Sequence, residues 1–269
     1  MDVASTAITL LRFAINCFDN IQLAREFEDE FATYQLKLDI LQLRLSRWGE
    51  VARVTTNSNS QTTEKDASGG KDGDGAEPSK NVEDILGAIQ DTLTKAQRDA
   101  KKTKSKLSLG GDRALDPELC MPNDLKKIRA RLRECLRRRR VQVAKTVDSL
   151  KWVFYKRDHF QKFVTDMSAL IQELENLLSE DAREKLRELS NEECKGISKP
   201  NLEELKDIAQ ECDPWLEDAV DEKLENAPGA GTYITQSYNT GMVTGIHKGD
   251  VNGVSNGNNN KTSNFWGRR

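Results

Sequence analysis

Histidine is nearly missing from this chain of 269 residues; only His159 and His247 occur. Neither sits in a Cys/His or Ser/His arrangement, and no G-x-x-x-x-G-K-[S/T], G-x-S-x-G or H-E-x-x-H is present. Phosphate-loop, serine-hydrolase and zinc-hydrolase chemistry therefore lack the residues they use, and neither an enzymatic function nor a cofactor is expected. Cysteine is sparse and irregular: Cys17, Cys120, Cys135, Cys194 and Cys212 are odd in number and form no C-x-x-C pair. No secretory apolar segment with a cleavage site precedes them, so reduced thiols in a cytoplasmic protein are expected. Long apolar runs are missing as well. None reaches the ~18–20 residues of a membrane-spanning helix, which predicts a soluble resting form. Proline is scarce, and none occurs before Pro78, so nothing forces an early helix to break.

What is present is charge. Charged residues make up 32% of the chain and hydrophobic ones 36%, a balance suited to helices with charged outer faces. The net charge of -3 averages two unlike regions. From Asn226 onward there are four basic residues (Lys248, Lys261, Arg268, Arg269) and one acidic (Asp250), a local charge of +3 that leaves -6 for the rest. The body is acidic and the tail mildly basic.

Residues 3–53 predict helix. Val3, Ala7, Leu10, Leu11, Ala14, Cys17, Phe18 and Ile21 recur at three-and-four spacing, and Phe27, Phe31, Tyr34, Leu38, Leu41 and Leu45 continue the stripe, with room for a turn near 21–25. From Thr55 to Lys80 the only apolar side chains are Ala67 and Ala76. Such a stretch cannot offset its ordering entropy, and a disordered loop over about 55–81 is expected. Helices are predicted again over 82–107, 124–155 and 160–178, then around Leu186 and Leu189, and from Pro200 toward Trp215. A domain boundary is expected near Ala227, dividing a helical part, 1–227, from a tail, 228–269. The tail holds eight of the 17 glycines and has no helical period.

Two hexads in the tail match each other, Gly241-Met-Val-Thr-Gly-Ile246 and Gly249-Asp-Val-Asn-Gly-Val254. Both read G-x-V-[T/N]-G-[I/V]. They place Val243 and Val251 between glycines, with Gly245 and Gly253 before the second β-branched residue. β-branched side chains favour extended backbone, asparagine ladders add hydrogen bonds when identical chains stack, and glycines permit tight corners. An amyloid core at Gly241, Val243, Gly245, Ile246, Gly249, Val251, Gly253 and Val254 is the sharper expectation, and a flexible polar linker the plainer one. A calcium loop fits poorly, because Val254 stands where a ligand is needed.

Two other segments carry charge or amphipathic character. Residues 126–145 hold ten basic residues, including Arg137 to Arg140, against Glu134 alone. A solvated helix face paired with acidic helices such as 203–221 is the preferred reading; anionic lipid headgroups come next. Nucleic acid is not expected as a partner, since the body is acidic and no reader motif appears. Val3 to Phe18 is apolar apart from Ser5, Thr6, Thr9, Arg12 and Asn16. By itself it reads as a core helix, because Arg12 is costly at a bilayer centre. An amphipathic segment can nonetheless be buried at rest and membrane-bound after release.

The stretch 18–50 resembles the HeLo domain of the fungal HET-S/HET-s proteins. Its most specific part is QLKLDILQLRLSRWGE, from Gln35 to Glu50, with Leu36, Leu38, Leu45, Trp48 and Gly49 as the motif core. A weaker match runs over 145–178, where Trp152, Tyr155, Phe160 and Phe163 are similar to the family's later helices. A tail ending in Phe265-Trp-Gly267 is similar too. The resemblance implies an all-α, multi-helix HeLo-type bundle followed by a disordered, amyloid-prone signalling tail. It implies a heterokaryon-incompatibility and programmed cell-death effector of the pore-forming kind. The tail would assemble as a homo-oligomer, templated by a prion partner or an NLR/STAND-type receptor with a matching motif. The helical domain would then insert its N-terminal segment in the lipids of the plasma membrane; here Val3, Ala7, Ile8, Leu10, Leu11, Phe13, Ala14, Ile15 and Phe18 are the candidates. Two departures stand out. The family's tail has pseudo-repeats of about twenty residues where this chain has hexads, which leaves the amyloid class open between a HET-s-like, a RHIM-like pseudo-palindromic and another kind. The N-terminal segment is also shorter and free of glycine. A non-toxic prion-like adaptor or inhibitor is the alternative.

Overall fold

A computed structural model describes residues 3–61, 77–107, 114–139 and 151–226. They belong to one compact unit, Met1–Ala230. The hexads and the rest of 227–269 lie outside the described residues, as do 62–76 of the polar loop.

The chain opens with α1 (Val3–Phe18), whose period-3.6 apolar face turns inward with Leu11, Ala14, Cys17 and Phe18 buried. Helix was expected over 3–53 with room for a turn near 21–25, and the structure breaks it there with a strand and a 3-10 turn. Asn20 Nδ2 donates back to Asn16 O at 2.8 Å and closes the helix, and β1 (Ile21–Leu23) follows. A 3-10 turn over Arg25–Glu30 leads into α2 (Phe31–Gln61). The break arises from a distant partner. β1 pairs in parallel with β2 (Trp152–Phe154), in register Ile21 with Trp152 and Leu23 with Phe154. Trp152 N donates to Asn20 O and Ala24 N to Phe154 O, extending the ladder at both ends. These backbone groups therefore find partners without the helix. Trp152 and its neighbours, expected at the end of a long helix from 124, are a strand for the same reason. The polar loop is also shorter than expected at both ends, since α2 reaches Gln61 and α3 (Glu77–Leu107) begins at Glu77.

α2 is the axis of the bundle. Every residue from Tyr34 to Gly49 is buried, because α1, α5, α6, α7 and α8 surround it. After α3 come α4 (Pro117–Cys120), α5 (Asn123–Arg139), α6 (Arg157–Asn176), α7 (Glu180–Glu193), α8 (Lys199–Ala209) and α9 (Pro214–Glu225). Their ends are written locally. Proline stands in the first turn of α4, α8 and α9, where its missing N–H costs nothing. Asp116 and Asp213 cap α4 and α9 by accepting from Glu118 N and Leu216 N. Gly196, at φ +80°, makes the left-handed corner between α7 and α8.

Aromatic rings fill the end of the bundle beside the strands. Phe160 meets Phe27, Tyr34 and Phe154 edge-on, with centroids 5.1 to 5.6 Å apart. Such T-shaped pairs contribute roughly 0.5–1.5 kcal/mol each beyond burial. Thus the small parallel sheet is held through Phe154, whose ring meets those of Trp152, Phe160 and Phe163, and it survives in an otherwise all-α fold.

Candidate functional site

The candidate site is α1 and the surface that holds it. Of the insertion candidates, Leu11, Ala14 and Phe18 are buried, Ala7, Ile8, Leu10 and Ile15 are half-buried, and Phe13 is 40% exposed. The side chain of Val3 lies outside the described residues. One face of α1 packs against α2 and α3, and the other carries Thr6, Thr9, Arg12 and Phe13 to solvent. The approach to α2 is close at Gly49: a Cβ built there would meet Leu11 Cδ2 at 2.5 Å. Glycine in the tryptophan-glycine pair thus makes room for α1.

Polar contacts tie down the C-terminal end of α1. Gln42 Nε2, buried on α2, donates to Ile15 O at 2.9 Å and to Asp19 Oδ1 at 3.1 Å. Arg133 on α5 donates to the same Asp19 oxygen at 2.9 Å and reaches Asp39 at 2.7 Å. Further up, Ala7, Leu10 and Leu11 meet the core through apolar contact.

Behind α1 lies a buried ionic network. Arg44 and Arg47 on α2 are among the largest fully buried side chains. Arg44 forks onto Glu175 at 2.9 and 2.6 Å, and reaches Gln172 Oε1 at 2.7 Å and Cys212 O at 2.8 Å. Arg47 donates to Glu193 at 3.1 and 2.6 Å and to Asp213 at 3.2 and 2.8 Å. Burial works against the Arg47 charge, but the Asp213 and Glu193 carboxylates outweigh it and hold its pKa well above the ordinary range. Asp213 does double duty, since its Oδ1 also caps α9. Trp48 donates its indole N–H to Leu174 O at 3.0 Å, and Trp215 donates to Glu175. Two arginines one turn apart therefore fasten α6, α7 and α9 to α2. Sequence reasoning missed this network; the signal was there in Arg44, between Leu43 and Leu45, and Arg47, beside Trp48, on a helix whose apolar residues demand burial and hence carboxylate partners for the two charges.

The remaining motif residues fall into place around it. Leu36, Leu38 and Leu45 are fully or nearly buried, and Trp152 and Tyr155 are buried at β2 and just after it. The basic run from Lys126 is absorbed by the fold as far as Arg139. Arg129 and Arg133 pair with Asp39, Arg137 and Arg138 with Glu134, and Arg139 with Glu50 and Glu193. Pairing was expected with acidic helices such as 203–221; the partners lie instead on α2, α4, α7 and α5 itself, and at Asp19 after α1. The cysteines are free. Burial pushes the Cys194 and Cys212 thiols up to about 12, so both stay protonated. No helix of the described residues is long and apolar enough to cross a membrane.

Comparison with known proteins agrees with this architecture. Residues 2–209 match the HeLo family, described as prion-inhibition and propagation. Heterokaryon incompatibility protein s of Podospora anserina is 27% identical over 225 residues, 82% of this chain and 72% of that protein. Heterokaryon incompatibility protein S of the same fungus matches to the same extent. The solved HET-s N-terminal domain shares the fold, with a TM-score of 0.67 at 24% identity over 82% of this chain and 97% of that one. A double mutant of that domain gives 0.66 at 23%, over 81% and 97%. On its central helix, its bundle and its match over most of its length, the chain belongs to the HeLo family of prion-inhibition and propagation domains.

Proposed function

We propose that this chain is a non-enzymatic effector of heterokaryon incompatibility, cytoplasmic at rest, whose tail takes up an amyloid fold on a matching template. The template is a prion partner or an NLR/STAND-type receptor, and the tails join copies of the chain into a homo-oligomer. Conversion frees α1, which passes from its seat on α2 and α3 to the lipids of the plasma membrane and disrupts it. One observation carries this reading. Ala7, Leu10 and Leu11 seat α1 on the core by apolar contact, and polar ties around Ile15 and Asp19 hold its C-terminal end. A helix held this way can exchange a protein surface for a lipid one at modest cost.

The test uses the full chain, seeded with preformed fibrils of the peptide 229–269, and dye-loaded vesicles. Seeding should release dye. Phe13 lies on the solvent side of α1, so Phe13→Asp should lower the melting temperature only slightly and abolish release. Release that is independent of seeds, or insensitive to Phe13→Asp, would refute the proposal.

A specific observation favours the second reading, a non-toxic adaptor or inhibitor. The 16 residues of α1 span ~24 Å, short of the ~30 Å hydrocarbon core, and include Arg12. On that reading the seeded chain joins the fibrils while the vesicles stay sealed.

A further inference from the structure

The densest basic run of the sequence is largely spent on internal pairing up to Arg139, yet a less conspicuous set of lysines is not. On α3, Lys95, Lys102 and Lys106 recur at spacings of seven and four, which aligns them along one exposed stripe. Lys95 stands on one lip of a cleft of about 270 Å³ between α3, β2 and α6, and the stripe extends that lip. His159 and Lys162, both exposed, stand on the other lip, and Ala96, Ala100, Phe154 and Phe163 supply apolar lining. Two carboxylates share the mouth, and each already has a lysine: Asp99 meets Lys102 at 3.5 Å and Asp166 meets Lys162 at 3.1 Å. Lys95, Lys106 and His159 have no such partner among the described residues. Lys104 and Lys106 also answer the helix dipole in the last turn of α3, but Lys95 lies about three turns from that end, beyond the dipole's reach.

Cations around an apolar-lined cleft match an ester that is anionic at one end and greasy at the other. We propose that this cleft binds the phosphate-bearing headgroup of an anionic phospholipid and seats the helical domain on a bilayer. The inference rests on the membrane reading above, in which the resting chain is cytoplasmic: the cleft holds it only transiently and salt-reversibly at the cytoplasmic face of the membrane, and the inference adds the lipid class and the face that docks. α3 also packs on α1, so the helix that docks is the one against which the insertion candidate rests.

The experiment measures co-sedimentation of the unseeded full chain with vesicles of phosphatidylcholine alone and of phosphatidylcholine mixed with phosphatidylserine. Binding should require the anionic lipid and weaken as salt is added. Lys95→Glu/Lys106→Glu should lower vesicle affinity at least about tenfold, given the worth of each basic residue near an anionic surface. The matched charge reversal Arg137→Glu/Arg138→Glu, on α5, should change it little. Lys95→Gln/Lys106→Gln, which removes charge without adding any, should fall between wild type and the reversal. Equal losses for the α3 and α5 reversals, or none for α3, would overturn the proposal. So would tight binding of inositol hexakisphosphate at Lys95 with no vesicle binding, since the source would then be a free phosphate. Membrane attachment and membrane damage separate cleanly. Seeded leakage that persists in the Lys95→Glu/Lys106→Glu variant sinks the docking cleft and spares the effector reading. Lysine-dependent attachment without seeded leakage does the reverse.

Discussion

Replacing Arg47 by methionine tests the buried network most directly. The side chain is fully buried and donates to two carboxylates that are themselves fully buried, Glu193 and Asp213. Methionine fills much the same volume but leaves those carboxylates with less compensation. Glu193 keeps Arg139, at 7% exposure, whereas Asp213 keeps its cap to α9 and a distant Arg44 Nε at 4.0 Å. Removing one partner of a buried ion pair costs about 3–5 kcal/mol. That is a large share of the 5–15 kcal/mol typical of a folded domain. At about 2–4 °C per kcal/mol for a domain of this size, the melting temperature should fall by roughly 6–20 °C. Circular dichroism at 222 nm during urea and thermal unfolding of the full chain measures both. The triple substitution Arg47→Met/Glu193→Gln/Asp213→Asn removes the stranded charges while the two amide oxygens still accept from Arg139 and from the start of α9, and it should recover most of the loss. A single-variant loss below about 1 kcal/mol, or a triple variant worse than the single, would refute the claim that this network fastens α7 and α9 to α2.

Three further predictions follow from other features. Gly49→Ala brings a methyl group against Leu11 and should cost about 1–3 kcal/mol, toward the lower end because the obstructing atom is a side-chain tip; amide exchange should accelerate in α1 while α6 is unaffected, and uniform acceleration would contradict the assignment. The thiols of Cys194 and Cys212 are raised from an ordinary 9.0 to about 12 by burial, so the unfolded chain loses those protons first. Their contribution is intact below pH 9 and declines as pH climbs toward 12; at pH 10.5 wild type should have lost about 4 kcal/mol more than Cys194→Ala/Cys212→Ala, relative to pH 7, in urea titrations. In the tail, Val243→Pro and Val251→Pro remove ladder donors and should block seeding by wild-type fibrils in a thioflavin assay; a proline variant that elongates as fast as wild type places the core elsewhere.

How far the sequence could be read depended on whether the deciding neighbours were near or far along the chain. The apolar period of 3–18, the helix of 160–178 and the proline and aspartate signals at helix starts are local, and each is an element of the fold. The motif Leu36 to Gly49 was the most specific part of the resemblance to the family, and the glycine in it now has a physical reason, the passage of Leu11. What sequence alone could not show was the strand pair. Ile21 and Trp152 lie far apart in the chain, and each run is only three residues long. Nothing local distinguishes such a run from helix; only the partner supplies the hydrogen bonds that make extended backbone pay. The same holds for α2. Leu36, Leu38, Ile40 and then Leu41, Leu43, Leu45 alternate with polar residues, so on a helix they fall on two opposite faces. Helices on all sides turn every direction into core, and Arg44 and Arg47 become its fasteners rather than its solvent face. Charge shows the contrast most plainly: composition identified the basic residues, but only tertiary contact decided which were paired within the fold and which, like Lys95, remained at the surface.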